Sequence, residues 1–178
     1  MNNNFTPYKT QTDFQDNNLK FFFISDGIEK IVKAIEYSSF RIMDGRRVFN
    51  LGFGDYEQES GAVLDDTNSN NGDMYKVFYT VLHSVPLFFK HNPIDAIWVQ
   101  GSDSDEDFID TCKPNCKKKC KDNFCKNIHR RIKTYRRFVD QYFEELSKEY
   151  LFFGMLDDSL VQYVPGNEYL GILVFKKK

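Results

Sequence analysis

The sequence predicts a single α/β domain built on a mixed sheet, and three observations predict it. Apolar runs of strand length open the domain, two later segments keep apolar residues at three- and four-residue spacing, and two further strand-like runs close the chain. At 178 residues there is enough polymer for one core. The 18 Phe and 10 Tyr supply large apolar side chains to offset the conformational entropy lost on folding.

Residues 1–18 are polar and hold no sustained period, so they are expected to form a flexible arm, with the domain over 19–178. Residues 19–24, 31–40 and 47–53 read as strands. Asp26-Gly27 and Asp44-Gly45 fall between them, where a tight turn needs residues that tolerate positive φ, so an antiparallel meander is expected. Residues 57–71 read as a loop in which Ala62-Val63-Leu64 offers a short strand. Met74, Val77, Phe78, Val81, Leu82, Val85, Phe88 and Phe89 then draw one apolar stripe along a helix, with Asn71 or Asp73 expected to cap its start and Pro86 to kink it.

Ala96-Ile97-Trp98-Val99 suits a strand buried on both faces. Ile128, Ile132, Tyr135, Phe138, Val139, Tyr142, Phe143 and Leu146 keep helical spacing over five turns. That helix is basic in its first half and acidic near its end, the reverse of what the helix dipole favours. Residues 150–156 and 169–175 close the chain as strands. The order is β-β-β-α-β-α-β-β, and the fourth strand leads into a helix and back to a strand, the unit of a parallel crossover.

Charge is segregated. The chain carries −2 overall, yet between Cys112 and Arg137 eleven lysines and arginines face one acid, Asp122. Such asymmetry creates a local field able to attract phosphate or an acidic surface. Arg130, Arg131, Lys133, Arg136 and Arg137 lie along the second helix, and Lys117, Lys118 and Lys119 adjoin it, so the segment is a candidate contact for nucleic acid or for an acidic protein. A solvated positive face is the plainer alternative. No apolar run reaches the roughly 18 residues needed to span a bilayer, and the polar start is unlike a secretion signal. A cytoplasmic protein without membrane partners is expected.

The same segment holds Cys112, Cys116, Cys120, Cys125 and His129 within 18 residues. Any four of these five satisfy tetrahedral zinc. With three or four residues between neighbours, their spacing differs from the paired knuckles of common zinc modules, and would align Cys112, Cys116 and Cys120 on one face of a helix. Two disulfides, or four reduced thiols, are the other readings, and a reducing cytoplasm disfavours the first.

Elsewhere, Asn70-Asn71-Gly72-Asp73 and Gly101-Ser102 are polar turns that can converge at strand ends, although a helix start and an ordinary turn explain them equally. Ser102 lacks an evident base, since His83, His91 and His129 show no suitable spacing and the first two are expected at the surface. Asp103, Asp105, Glu106 and Asp107 form an acidic run with the chemistry to bind a divalent cation or simply to be solvated.

The element order, with its long last helix and closing hairpin, resembles the GNAT N-acetyltransferase architecture over residues 19–178. In that family the turn into the first long helix carries Gln/Arg-x-x-Gly-x-Gly/Ala, whose amides hold the coenzyme A pyrophosphate. Here it reads Ser69-Asn70-Asn71-Gly72-Asp73-Met74, with one glycine and an added carboxylate. The resemblance implies acetyl-CoA contact at Asn71 and Gly72, with Tyr135 as general acid for the departing thiolate. The chain also resembles an uncharacterised group of small bacterial proteins, mostly from Bacteroidetes. The shared marks are Phe53-Gly54-Asp55, residues 70–73 followed by Thr80-Val81, Gly101-Ser102, and Arg131, Tyr135 and Arg136. In that group the Gly-Ser lies only a few residues before the Arg element, so 105–128 reads as a Cys/Lys-rich insertion. The expectation favoured by charge and by the altered phosphate loop is a non-catalytic binding module, with an acyl-CoA-dependent N-acyltransferase as the alternative.

Overall fold

The computed structural model describes residues 6–15, 17–64, 71–104, 107–112, 114, 116, 125–157 and 159–178. They form a mixed α+β fold, rich in mostly antiparallel strands, in two compact units: Met1–Trp98 with Phe175–Lys178, and Val99–Val174.

In the first unit, β2 (Asn18–Asp26), β3 (Lys30–Met43) and β4 (Arg46–Tyr56) make the expected antiparallel meander, longer than the apolar runs alone indicate. Alternation places Leu19, Phe21 and Phe23 on the same face as Ile35, Tyr37 and Leu51, all buried. The helix α1 (Met74–His91) covers that face. Tyr37 stacks on Phe88 at 4.6 Å between centroids, Phe49 meets Phe88 edge-on at 5.1 Å, and Phe53 meets Phe78 at 5.1 Å. Each fully buried ring of this kind contributes about 2 kcal/mol of burial. The Tyr37 hydroxyl, buried with them, shares a hydrogen bond of 2.6 Å with Ser84.

Three expectations change here. Gln11–Gln15, within the expected arm, forms β1 and pairs antiparallel with β2 from Gln11↔Phe22 to Gln15↔Asn18. All five of its side chains are exposed, so backbone bonds to an edge hold it and no hydrophobic period announces it. Asp44 and Gly45 do adopt positive φ, at 49° and 75°, but Gly27 does not. A Cβ at Gly27 would lie 1.9 Å from the Asn71 carbonyl oxygen, so that glycine serves close approach of two backbones. Asp73 stands at the N-cap position of α1 without a side-chain capping bond, for a reason given below.

β5 (Val63–Leu64) pairs with the end of β4, and β6 (Ala96–Gln100) pairs with β4 in parallel from Val48↔Ala96 to Asn50↔Trp98. α1 is therefore itself a crossover helix, one element earlier than the crossover read from the sequence. Ala96 to Val99 are all buried, as the unbroken apolar run requires. Arg47 ties this end by donating to both Asp95 and Asn92, Asp95 being buried.

In the second unit, a 3-10 turn (Ser102–Ser104) and α2 (Phe108–Cys112) precede α3 (Arg130–Leu146), β7 (Tyr150–Leu156), β8 (Ser159–Gln162) and the first four residues of β9 (Gly171–Lys176). β8, absent from the sequence reading, pairs with β7 through a turn in which Asp157 takes φ 47°. α3 packs its apolar stripe into an aromatic cluster in which Phe143 stacks on Tyr163 at 5.7 Å and Tyr163 meets Tyr169 at 4.8 Å. The Tyr163 hydroxyl donates to Asp140 at 2.7 Å; burial first, and then this bond, hold its phenol well above the ordinary range. Among the described residues no helix is long and apolar enough to cross a membrane.

Candidate metal centre

α2 ends at Cys112 and Cys116 stands outside any helix, so these two are not aligned on one helical face. Three of the thiols nonetheless lie together. The sulfurs of Cys112, Cys116 and Cys125 lie within 4.8 Å of one another, with Cys125 buried and the other two half-buried. Cys112 and Cys125 stand 3.7 Å apart. A zinc ion with four thiolates at about 2.3 Å sets its sulfurs about 3.8 Å apart, the edge of the tetrahedron, whereas a disulfide closes them to about 2 Å. No disulfide joins the three described cysteines, and the Cys112–Cys125 separation is close to that tetrahedral edge, so the three could hold a metal ion. Cys120 lies outside the described residues, as do Lys117, Lys118 and Lys119.

His129 is not gathered with the sulfurs. Its Nδ1 shares a bond of 3.0 Å with Ser104, and its backbone, at φ 58°, makes the left-handed step that turns the chain into α3. Asn127, passed over in the sequence, donates its side-chain amide to Cys112 at 3.4 Å and Cys116 at 3.7 Å. A lone asparagine between a cysteine and a basic run carries no pattern that would have singled it out.

The cations of α3 separate into two groups. Arg130, Lys133 and Arg137 are exposed, and their spacing of three and four residues puts them on one face over about 10 Å of helix. Arg131 and Arg136 are engaged within the unit: Arg131 donates to Ser102, and Arg136 to Glu168 at 3.4 Å and to the Asn167 carbonyl at 3.5 Å. The reversed charge of this helix also has an answer. Asp103, buried, accepts the Arg131 backbone N–H at 2.9 Å with Oδ2, so a carboxylate from the 3-10 turn stands at the positive end of the dipole. That corrects the reading of Asp103 as part of a solvated or cation-binding run; Asp107 is exposed and 105–106 lie outside the described residues.

The polar turn before α1 is similarly occupied. Asn71 accepts from Glu29 N at 2.8 Å and donates to Ser25 Oγ at 2.8 Å and to the Glu29 carbonyl at 2.9 Å, clamping the β2–β3 turn. Asp73 accepts from Ser25 Oγ at 2.6 Å and from the Tyr8 hydroxyl at 2.7 Å, which is why it does not cap α1. Tyr8 also donates its backbone N–H to Thr80 at 2.9 Å. Burial, followed by the Asp73 bond, raises the Tyr8 phenol above its ordinary value. Gly72 takes φ 79° beside these bonds. Asp55 accepts from the buried Lys33. Several marks of the resemblance drawn above, Asp55, Asn71, Asp73 and Thr80, thus make tertiary bonds within the first unit. His83 and His91 are at the surface, as expected.

No curated protein and no solved structure matches the chain. A family model matches residues 4–107, more than half of the chain, and its match ends before Cys112, the first cysteine. The chain belongs to that family, a family of unknown function (DUF6934).

Proposed function

We propose that this chain is a non-catalytic binding module in which a zinc ion holds the cysteine segment, and that α3 thereby presents its basic face to nucleic acid. The observation that carries the reading is the convergence of three thiols within 4.8 Å, with Cys125 five residues before Arg130, the first of three exposed cations. Zinc takes four ligands, and Cys120 supplies the fourth on this reading. A reducing cytoplasm keeps such thiols available for metal. The cations contact the phosphate backbone and read no bases, so binding is weakly sequence-specific. The acetyltransferase-like order of elements serves as a scaffold, without acyl transfer.

The test is a salt titration of affinity for a mixed-sequence DNA duplex, on protein whose zinc content has been measured. One zinc per chain is expected. The slope of log affinity against log salt should lie between about −3, for Arg130, Lys133 and Arg137, and about −5, when Lys117, Lys118 and Lys119 also contact phosphate. Affinity that ignores salt would overturn the nucleic-acid reading, and a metal-free protein indifferent to chelator would overturn the zinc. Binding of an acidic protein in place of DNA would reassign the partner. Tight binding of acetyl-CoA would instead return the chain to acyl transfer.

A further inference from the structure

Asn127 touches both halves of the proposed site. Its amide nitrogen donates to the sulfurs of Cys112 and Cys116, at 3.4 and 3.7 Å, while its side-chain oxygen accepts from Arg130 Nη1 at 3.3 Å. The Arg130 backbone N–H also reaches the Asn127 carbonyl, at 3.4 Å. The two ends of an amide are not interchangeable, since the nitrogen only donates and the oxygen only accepts. A metal-bound sulfur accepts and a guanidinium donates. Both neighbours therefore demand the same orientation of this one side chain.

We propose that Asn127 is a positioning residue that couples metal occupancy to the basic face, so that metal and nucleic acid each tighten the binding of the other. The inference rests on the zinc and nucleic-acid reading above. A metal takes the two sulfurs as thiolates, which accept from the amide more strongly than neutral thiols do, and so fixes the orientation in which Asn127 also accepts from Arg130. Arg130 is exposed, and a long exposed side chain must be ordered before it can bridge to a phosphate. Held by Asn127, it is ordered in advance. Linkage then requires that the factor by which zinc raises duplex affinity equal the factor by which duplex raises zinc affinity. One hydrogen bond to a charged group on the surface sets that factor at about threefold.

The experiment measures duplex affinity with and without zinc, and zinc affinity by chelator competition with and without duplex, in the native chain and in three variants. The coupling factor of the native chain is expected to exceed that of Asn127→Leu and of Arg130→Ala about threefold, while Lys133→Ala weakens duplex binding and keeps the native coupling. Comparison with Asn127→Leu cancels any direct field of the metal on the phosphates. Arg130→Ala guards against a variant that merely disturbs the loop, because a purely structural role for Asn127 would leave its coupling at the native value. Equal coupling in the native chain and in Arg130→Ala overturns the relay while leaving the zinc and nucleic-acid reading intact. Absence of bound zinc or of duplex binding overturns that reading and the relay with it.

Discussion

The carboxylate of Asp103 accepts the backbone N–H of Arg131 at 2.9 Å, capping α3 from 28 residues upstream. The Asp103 carbonyl also accepts from His129 N at 3.0 Å. The turn after β6 thereby fixes where the basic helix begins. A Cβ on Gly101 would lie 2.4 Å from Asp103 Oδ1 and 2.8 Å from Arg131 Cβ, so glycine is what lets the cap close. Asp103→Ala should cost about 2 kcal/mol in urea denaturation, because it removes both a helix cap and a negative charge favourable to the dipole. Asp103→Asn keeps an acceptor and gives up the charge, and should cost about half as much.

Metal removal should be read in stability as well as in stoichiometry. If zinc holds the segment, a strong chelator lowers the thermal midpoint of the native chain and leaves that of Cys125→Ala unchanged. Equal response of the two proteins, or no response in either, would exclude a stabilising metal at these sulfurs.

The division of the α3 cations predicts unequal substitutions. Lys133→Ala and Arg137→Ala should each weaken duplex binding and reduce the salt slope by about 1, having little effect on stability. Arg136→Ala should do the reverse: its bonds to Glu168 and Asn167 are lost, and duplex affinity holds. Fluorescence anisotropy at several salt concentrations separates the two classes.

Tyr163 makes stability sensitive to alkali. Burial and Asp140 raise its phenol above the unfolded value of about 10, so the folded chain keeps a proton that the unfolded chain has released. The stabilisation is complete below about pH 10 and declines as pH rises further. Tyr163→Phe should lose about 1 kcal/mol at neutral pH with the Asp140 bond, and its denaturation midpoint should fall less steeply above pH 10. Parallel alkaline limbs for the two proteins would remove Tyr163 from the account.

Much of the fold was legible because the relevant physics is local. Periods of two and of three to four residues placed β2, β3, β4, β6 and both long helices, since one face of each must be buried and the period states which. β1 and β8 were missed because their side chains face water and their pairing is a backbone matter that leaves little mark on the side-chain pattern. The cysteine segment announced itself by composition, yet which of its described groups lie together depends on the chain path. Three thiols came together around the end of α2, and His129 turned to Ser104 instead.

What the sequence by itself determined is therefore the identity of the core stripes, the segregation of charge and the presence of a thiol-rich, lysine-rich segment. Only the tertiary structure decided which polar groups were already spent: Asp73 on Tyr8 and Ser25, Asp103 on the start of α3, Arg136 on Glu168, and Asn127 between sulfur and guanidinium. The physical reason is that burial of apolar surface is non-directional and follows from pattern, whereas a hydrogen bond depends on which distant group the fold brings within about 3 Å.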